Sequence, residues 1–252
     1  MPFLTDDGHP LDELALAQRP ADGYRFELRA PFVYVDPVSG RRYPVPARPG
    51  QRVETDLASV PSLVWAFIAS YGRQSAPAVM HDVYAAPADD PSAPDRRAEL
   101  ERRREVDRVF RTALREQGVP KLRAALMWAW VAADRERGVA GVAGAVFFAQ
   151  AILGAIVIVA ASVLAFWNIG WLVLAVVPAV AALPWWRLAP LMLLLNYSGA
   201  VLSPLVVLQL LAVVPFRIIE AVVELVTGGD PLGVVRPTLR TEPPESTDGG
   251  VR

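Results

Sequence analysis

One imidazole and three carboxylates, carried on three short pieces of the chain, form the smallest set that supports hydrolysis by a histidine base. The pieces are Thr55-Asp56-Leu57, His81-Asp82, and Asp107 within Arg104-Glu105-Val106-Asp107-Arg108-Val109-Phe110. The chain has only 2 histidines, and His81 is followed directly by an acid. An imidazole titrates near neutrality and can take a proton from water. A carboxylate on its far side can orient it, and further carboxylates can hold a cation that polarises the substrate.

The elements that must position these groups are helical. Ser75 is expected as an N-cap, with Pro77 in the first turn of a helix carrying Val79, Met80, His81, Asp82 and Tyr84. Neighbouring helical residues point about 100° apart, so His81 and Asp82 can border one cleft while serving different targets. An arginine-rich helix is expected from about Arg96 to Gln117, ended by Gly118, and a further one from Lys121 to Glu136 with Leu122, Leu126, Trp130 and Val131 at helical spacing. On the arginine-rich helix Asp107 shares a stripe with Leu100 and Leu114, beside Val106, Phe110 and Ala113. It therefore faces the core, where an unpaired carboxylate is costly, and it needs a partner. Arg103, Arg104 and Arg111 lie one turn away and give an ordinary structural pair. His81 gives a catalytic one. Thr55-Asp56 before an apolar run also has the form of a helix N-cap.

In order, Thr55-Asp56-Leu57-Ala58-Ser59-Val60-Pro61, Ala78-Val79-Met80-His81-Asp82 and Val106-Asp107-Arg108-Val109-Phe110 resemble a phage-associated bacterial domain family of uncharacterised function, over roughly residues 24–135. The same pieces are more distantly similar to the prokaryotic phospholipase A₂ pattern. In that pattern an Asp-Leu calcium loop precedes a His-Asp helix, and an antiparallel helix supplies a second Asp. The resemblance implies His81 as general base, Asp107 as its orienting carboxylate, and calcium held by Asp56, Asp82 and backbone carbonyls near Leu57. The substrate it implies is a phospholipid ester. The tyrosine of that pattern lies four residues after the histidine, where this chain has Ala85; Tyr84 stands one position early.

The rest of the chain divides by composition. Charge is concentrated in residues 1–137 and nearly absent from 138–226, which raises the hydrophobic content to 53% and the mean hydropathy to +0.31. The expected fold class is α+β: a small antiparallel β-sheet and a helical domain over 22–137, then a separate all-α transmembrane region over 138–227. Residues 1–21 read as a flexible leader and 228–252 as a disordered tail rich in Pro, Gly, Thr and Glu. Alternation at Tyr24, Phe26 and Leu28, Phe32 to Val35, and Arg42 to Val45 after a turn at Asp36–Gly40 supplies the strands. A further apolar helix is expected over Ser62 to Tyr71, closed by Gly72, and a loop over 86–95.

Val142 to Phe166 carries no charge and is long enough to span a core of ~30 Å. A short apolar stretch over Leu172 to Leu183 and a third over Leu188 to Val214 follow, with tryptophans before and between them and an amphipathic helix over Phe216 to Val226. About three membrane segments and a lipid bilayer as partner are therefore expected. Lys121, Arg123, Arg135 and Arg137 before the first span put the N-terminal domain on the cytoplasmic side of a multi-pass protein of the cell membrane. Against the ~10⁻⁷ to 10⁻³ M range of sensor and extracellular sites, low cytosolic calcium leaves three alternatives: a high-affinity site, a domain that lies outside, or a site that is not for calcium. With a net charge of −1, no basic field points to nucleic acid. Cysteine is absent, so disulfides and thiolate metal sites are excluded. The polar first ten residues carry no signal-peptide pattern, which leaves insertion to the internal segments.

Overall fold

In the computed structural model the described residues are 3–19, 25–57, 69, 71–86 and 95–234. The expected helix over Ser62 to Tyr71, most of the 86–95 loop, Tyr24 and the tail beyond residue 234 lie outside them.

The charged half is α+β, with two three-stranded antiparallel sheets among the described residues. β1 (Phe3–Thr5), β4 (Phe32–Val35) and β5 (Arg42–Val45) form one, in the order β1-β4-β5; β2 (Leu16–Gln18), β3 (Phe26–Leu28) and β6 (Glu54–Thr55) form the other, in the order β2-β3-β6. The stretch read as a flexible leader thus supplies a strand to each sheet. Phe3 pairs in register with Tyr34, and both side chains are fully buried. Residues 3–18 are held by sheet pairing and aromatic burial, neither of which needs helical or alternating periodicity across the whole stretch. The sheets and two helices close on one core that joins Phe3, Phe32, Tyr34, Tyr43, Val79 and Val109.

Asp36 sets the turn between β4 and β5. Its carboxylate accepts from the Ser39 hydroxyl at 2.5 Å and from the Ser39 backbone N–H at 3.1 Å. Fully buried, it also takes Arg108 at 2.6 Å, which ties the turn to the second helix and holds its carboxyl low, at about 2, against the effect of burial.

Among the described residues three helices follow: α1 (Ser75–Ala85), α2 (Arg96–Glu116) and α3 (Lys121–Val139). Ser75 is the first helical residue and not the N-cap, because its hydroxyl is spent upstream, accepting from the Gly72 N–H at 3.0 Å. α1 ends where two guanidinium groups from α2 cap it. Arg102 donates to the carbonyls of Tyr84 and Ala86, and Arg103 to that of Ala85 at 2.6 Å, so orphan carbonyls of the last turn are satisfied by cations, the favourable sign at that end. Gly118, at φ +75°, ends α2. The Val119 N–H then returns to the Leu114 carbonyl at 3.0 Å, as a left-handed C-terminal turn requires.

α3 buries only part of the stripe expected of it: Leu126 and Val131 pack on the core formed with α2. Leu122 and Trp130 are 67% and 51% exposed, whereas Ala124, Met127, Ala129, Ala132, Ala133, Arg135 and Glu136 are buried. The reason is that α3 has neighbours on two sides. Ala124 and Met127 pack with Phe110 and Leu114 of α2, while Ala129 and Ala132 pack with Phe147 and Leu191 of the apolar half. Alanines let helices approach closely on both faces, and Leu122 and Trp130 are left outside.

The apolar half begins with α4 (Val142–Leu164), launched from Gly141 at φ +62°. Asn168 then accepts from the Gly170 N–H at 2.8 Å and opens a broken segment: a 3₁₀ turn over Ile169–Val176, α5 (Val177–Ala182) and a 3₁₀ turn over Leu183–Leu188. α6 (Ala189–Thr227) completes it as one helix of 39 residues containing Pro204 and Pro215. The amphipathic segment expected after Pro215 is therefore its last turns and not a separate element. Two helical stretches, Val142–Leu164 and Ile169–Thr227, are long and apolar enough to cross a membrane by length and composition, at mean hydropathies of 2.5 and 2.2. α4 and α6 cross at small residues: Gly154 faces Asn196 and Gly199 faces Ala155. An apolar groove of about 710 Å³, lined by Leu126 and Trp130 of α3, Ile152 and Ile156 of α4, and Leu195 and Leu202 of α6, runs between these helices.

Candidate functional site

The antiparallel pair α1–α2 brings His81 and Asp107 together. His81 Nε2 lies 2.8 Å from Asp107 Oδ1, with the imidazole side chain 12% exposed and the carboxylate 3%. The ring packs on Phe110, centroids 4.8 Å apart, so its orientation is fixed by an apolar wall as well as by the hydrogen bond. That bond through Nε2 is the ring's side-chain hydrogen bond among the described residues, which leaves Nδ1 for a water. The three arginines one turn from Asp107 are otherwise engaged. Arg103 caps α1, Arg104 pairs with Glu136 at 3.2 Å, and Arg111 stacks over Trp128 at 4.7 Å.

Asp107 nevertheless has a cationic partner, and it comes from α3. Arg135 donates from its terminal nitrogen to Asp107 Oδ2, so the carboxylate is bonded to the imidazole through one oxygen and to a guanidinium through the other. Arg135 is buried, 4% exposed, and also donates to Glu136 at 2.9 Å. In the sequence Arg135 reads as one of the positive charges flanking a membrane segment. Only its placement on the α2-facing side of α3 marks it out, and the exposed Leu122 and Trp130 do not point to that side.

Asp82 is held on the other side of α1. Its Oδ2 accepts from the Thr55 hydroxyl at 2.6 Å, and Thr55 Oγ1 accepts from the Leu57 N–H at 2.8 Å, so β6 and the turn after it are pinned to the His-Asp helix. Thr55 is thus a strand residue that bridges to α1. Leu57 is buried with φ +64°, a left-handed conformation uncommon for a residue with a branched side chain, and it sets the direction of the carbonyls around it. Burial pushes the Asp82 carboxyl up to about 6; the Thr55 bond and His81 pull it down, and the charge of Asp56 pushes it further up. A buried acid whose ionisation is opposed further by a neighbouring carboxylate is a donor that a cation would relieve. No three His, Asp or Glu side chains converge among the described residues, so a hard cation held here would need carbonyl and water oxygens besides its carboxylates. Ala85 fills the position where the phospholipase pattern has tyrosine, and the Tyr84 hydroxyl donates away from the site, to the Pro44 carbonyl at 2.9 Å.

Searches of curated proteins and of solved structures returned no match. Residues 26–131 match a family described as protein of unknown function (DUF1353). The match runs from β3 into α3. It includes Asp56, Leu57, His81, Asp82 and Asp107 and stops short of Arg135 and the apolar helices. The chain thus carries a DUF1353 domain, of unknown function, over residues 26–131.

Proposed function

We propose that this domain hydrolyses a carboxylic ester, that of a phospholipid, beside a membrane in which the apolar helices are embedded. The observation that carries the reading is the buried 2.8 Å contact between His81 Nε2 and Asp107, with Asp82 as the next residue on the same helix. In the proposed reaction His81 Nδ1 removes a proton from water, and the water oxygen bonds to the ester carbonyl carbon. Asp107 stabilises the imidazolium that forms. Collapse breaks the carbon–alkoxy bond, and the alkoxide leaves with the proton that the ring carries. A calcium ion bound through Asp82, Asp56 and main-chain oxygens near Leu57 would supply polarisation of the carbonyl.

The membrane placement is supported by the length and apolarity of α4 and of the 169–227 segment. Because Arg135 is buried and paired, the orientation rests on Lys121, Arg123 and Arg137, which still favour a cytoplasmic domain and a multi-pass anchor. A second reading draws on the Asp107–Arg135 pair. There the domain is a non-catalytic, phage-related, membrane-anchored interaction protein, and Asp107 and His81 only join α1, α2 and α3. Purified full chain in mixed micelles, with calcium or with chelator, separates the two. The hydrolase reading expects lipid hydrolysis that His81→Ala and Asp82→Asn each reduce at least 100-fold with the helical signal retained. Product from none of the three proteins under either condition supports the interaction protein.

A further inference from the structure

Arg135 belongs to a buried ionic chain that leads away from the histidine. Asp107 takes His81 on Oδ1 and Arg135 on Oδ2. Arg135 in turn donates to Glu136 Oε1 through Nε at 3.2 Å and its other terminal nitrogen at 2.9 Å, and Arg104 reaches the same oxygen at 3.2 Å. The signs alternate along Asp107, Arg135, Glu136 and Arg104, so each charge meets its opposite and the four sum to zero without any charge on the imidazole. The guanidinium is planar and gripped by two carboxylates, so it fixes the plane of the Asp107 carboxylate as well as its charge. The backbone below it is equally confined: a Cβ on Gly144 of α4 would stand 1.9 Å from the Glu136 carbonyl oxygen, which puts the first turn of α4 directly on the last turns of α3.

We infer that Arg135 is a positioning residue for His81: by gripping Asp107 Oδ2 it fixes Oδ1 opposite Nε2, which selects the ring tautomer with its proton on Nε2 and leaves Nδ1 bare. An acceptor fixed at Oδ1 requires a donor opposite it, and Nε2–H is the group within reach. The inference deepens the reading of His81 as the base and rests on it. Without Arg135, Oδ2 loses its donor and the Asp107 carboxylate can turn away from Nε2, so the ring loses the acceptor that selects its tautomer. A residue that merely packed α3 on α2 would leave the choice of tautomer untouched.

The test is ring ¹⁵N NMR on the full chain in detergent micelles at about pH 8, well above the ordinary histidine range. With only 2 histidines in the chain, a His9→Asn background isolates the His81 signals. The wild-type ring is expected to show a proton on Nε2 and a bare Nδ1. Arg135→Lys, which keeps a cationic donor for Asp107 Oδ2, should retain that pattern, and Arg135→Met should show a mixture of the two neutral tautomers. A wild-type proton on Nδ1, loss of the pattern in a folded Arg135→Lys, or an unchanged pattern in Arg135→Met overturns the inference. If Arg135→Met does not fold, the first two proteins still decide it. The readout is independent of turnover, so an absence of lipid hydrolysis beside the expected ring pattern sinks the proposed activity and leaves the positioning role intact.

Discussion

At the scale of single residues the site sets two acids against each other. Asp107 is bonded to a guanidinium and an imidazole, whereas the carboxyl of Asp82 is pushed up to about 6 by burial. An acid raised above its unfolded value of about 3.9 opposes folding once it ionises. Below about pH 4 both states hold the proton and nothing is lost; between about pH 4 and 6 the unfolded chain gives it up first; above about pH 6 the full penalty stands, about 2–3 kcal/mol. Asp82→Asn keeps an oxygen to accept from Thr55. In chelator it should therefore raise the melting temperature at neutral pH, with the gain vanishing toward about pH 4. Calcium should stabilise the wild type and leave this variant unmoved. A variant that melts below the wild type at neutral pH would show that Asp82 already has a compensating charge. Asp107→Ala acts in the other direction. It strands Arg135 without its main partner in a buried site, and unfolding curves should show a loss of about 3–5 kcal/mol.

At the scale of elements, the α1–α2 pair was legible because two signals agreed: Pro77 in a first turn, and Asp107 on the stripe shared by Val106, Phe110 and Ala113. The contact of His81 with Asp107 follows from those two helices lying side by side. α3 was misread for a definite reason. Hydrophobic periodicity marks large side chains, and this helix packs through alanines on two faces while Leu122 and Trp130 remain outside. Arg135 was hidden with them, since a charge near a membrane-length segment has a more ordinary explanation. The N-terminal strands were hidden too, because pairs such as Phe3 with Tyr34 depend on a partner distant in sequence. In the apolar half the close α4–α6 crossing rests on Gly154, where a Cβ would meet the Asn196 carboxamide oxygen at 2.6 Å. Gly154→Leu should force the helices apart and lower the melting temperature in detergent. Gly138→Ala, at a glycine with open space around it, serves as the control and should change little.

At the scale of the whole molecule, α3 joins the two halves. One of its faces belongs to the core that supports Asp107, and another packs on Phe147 and Leu191 beside the membrane-length helices. The composition boundary near residue 138 is therefore sharper than the packing boundary. In cells the full chain should stay in the membrane pellet through alkaline carbonate extraction, and release into the supernatant would contradict the embedded reading of α4 and α6. The most direct test of the central claim is the release of free fatty acid from phospholipid vesicles by the purified full chain, quantified by mass spectrometry. The account predicts calcium-dependent release that falls to background in a folded His81→Ala protein; equal release by His81→Ala and the wild type, or none from either with calcium present, would contradict it.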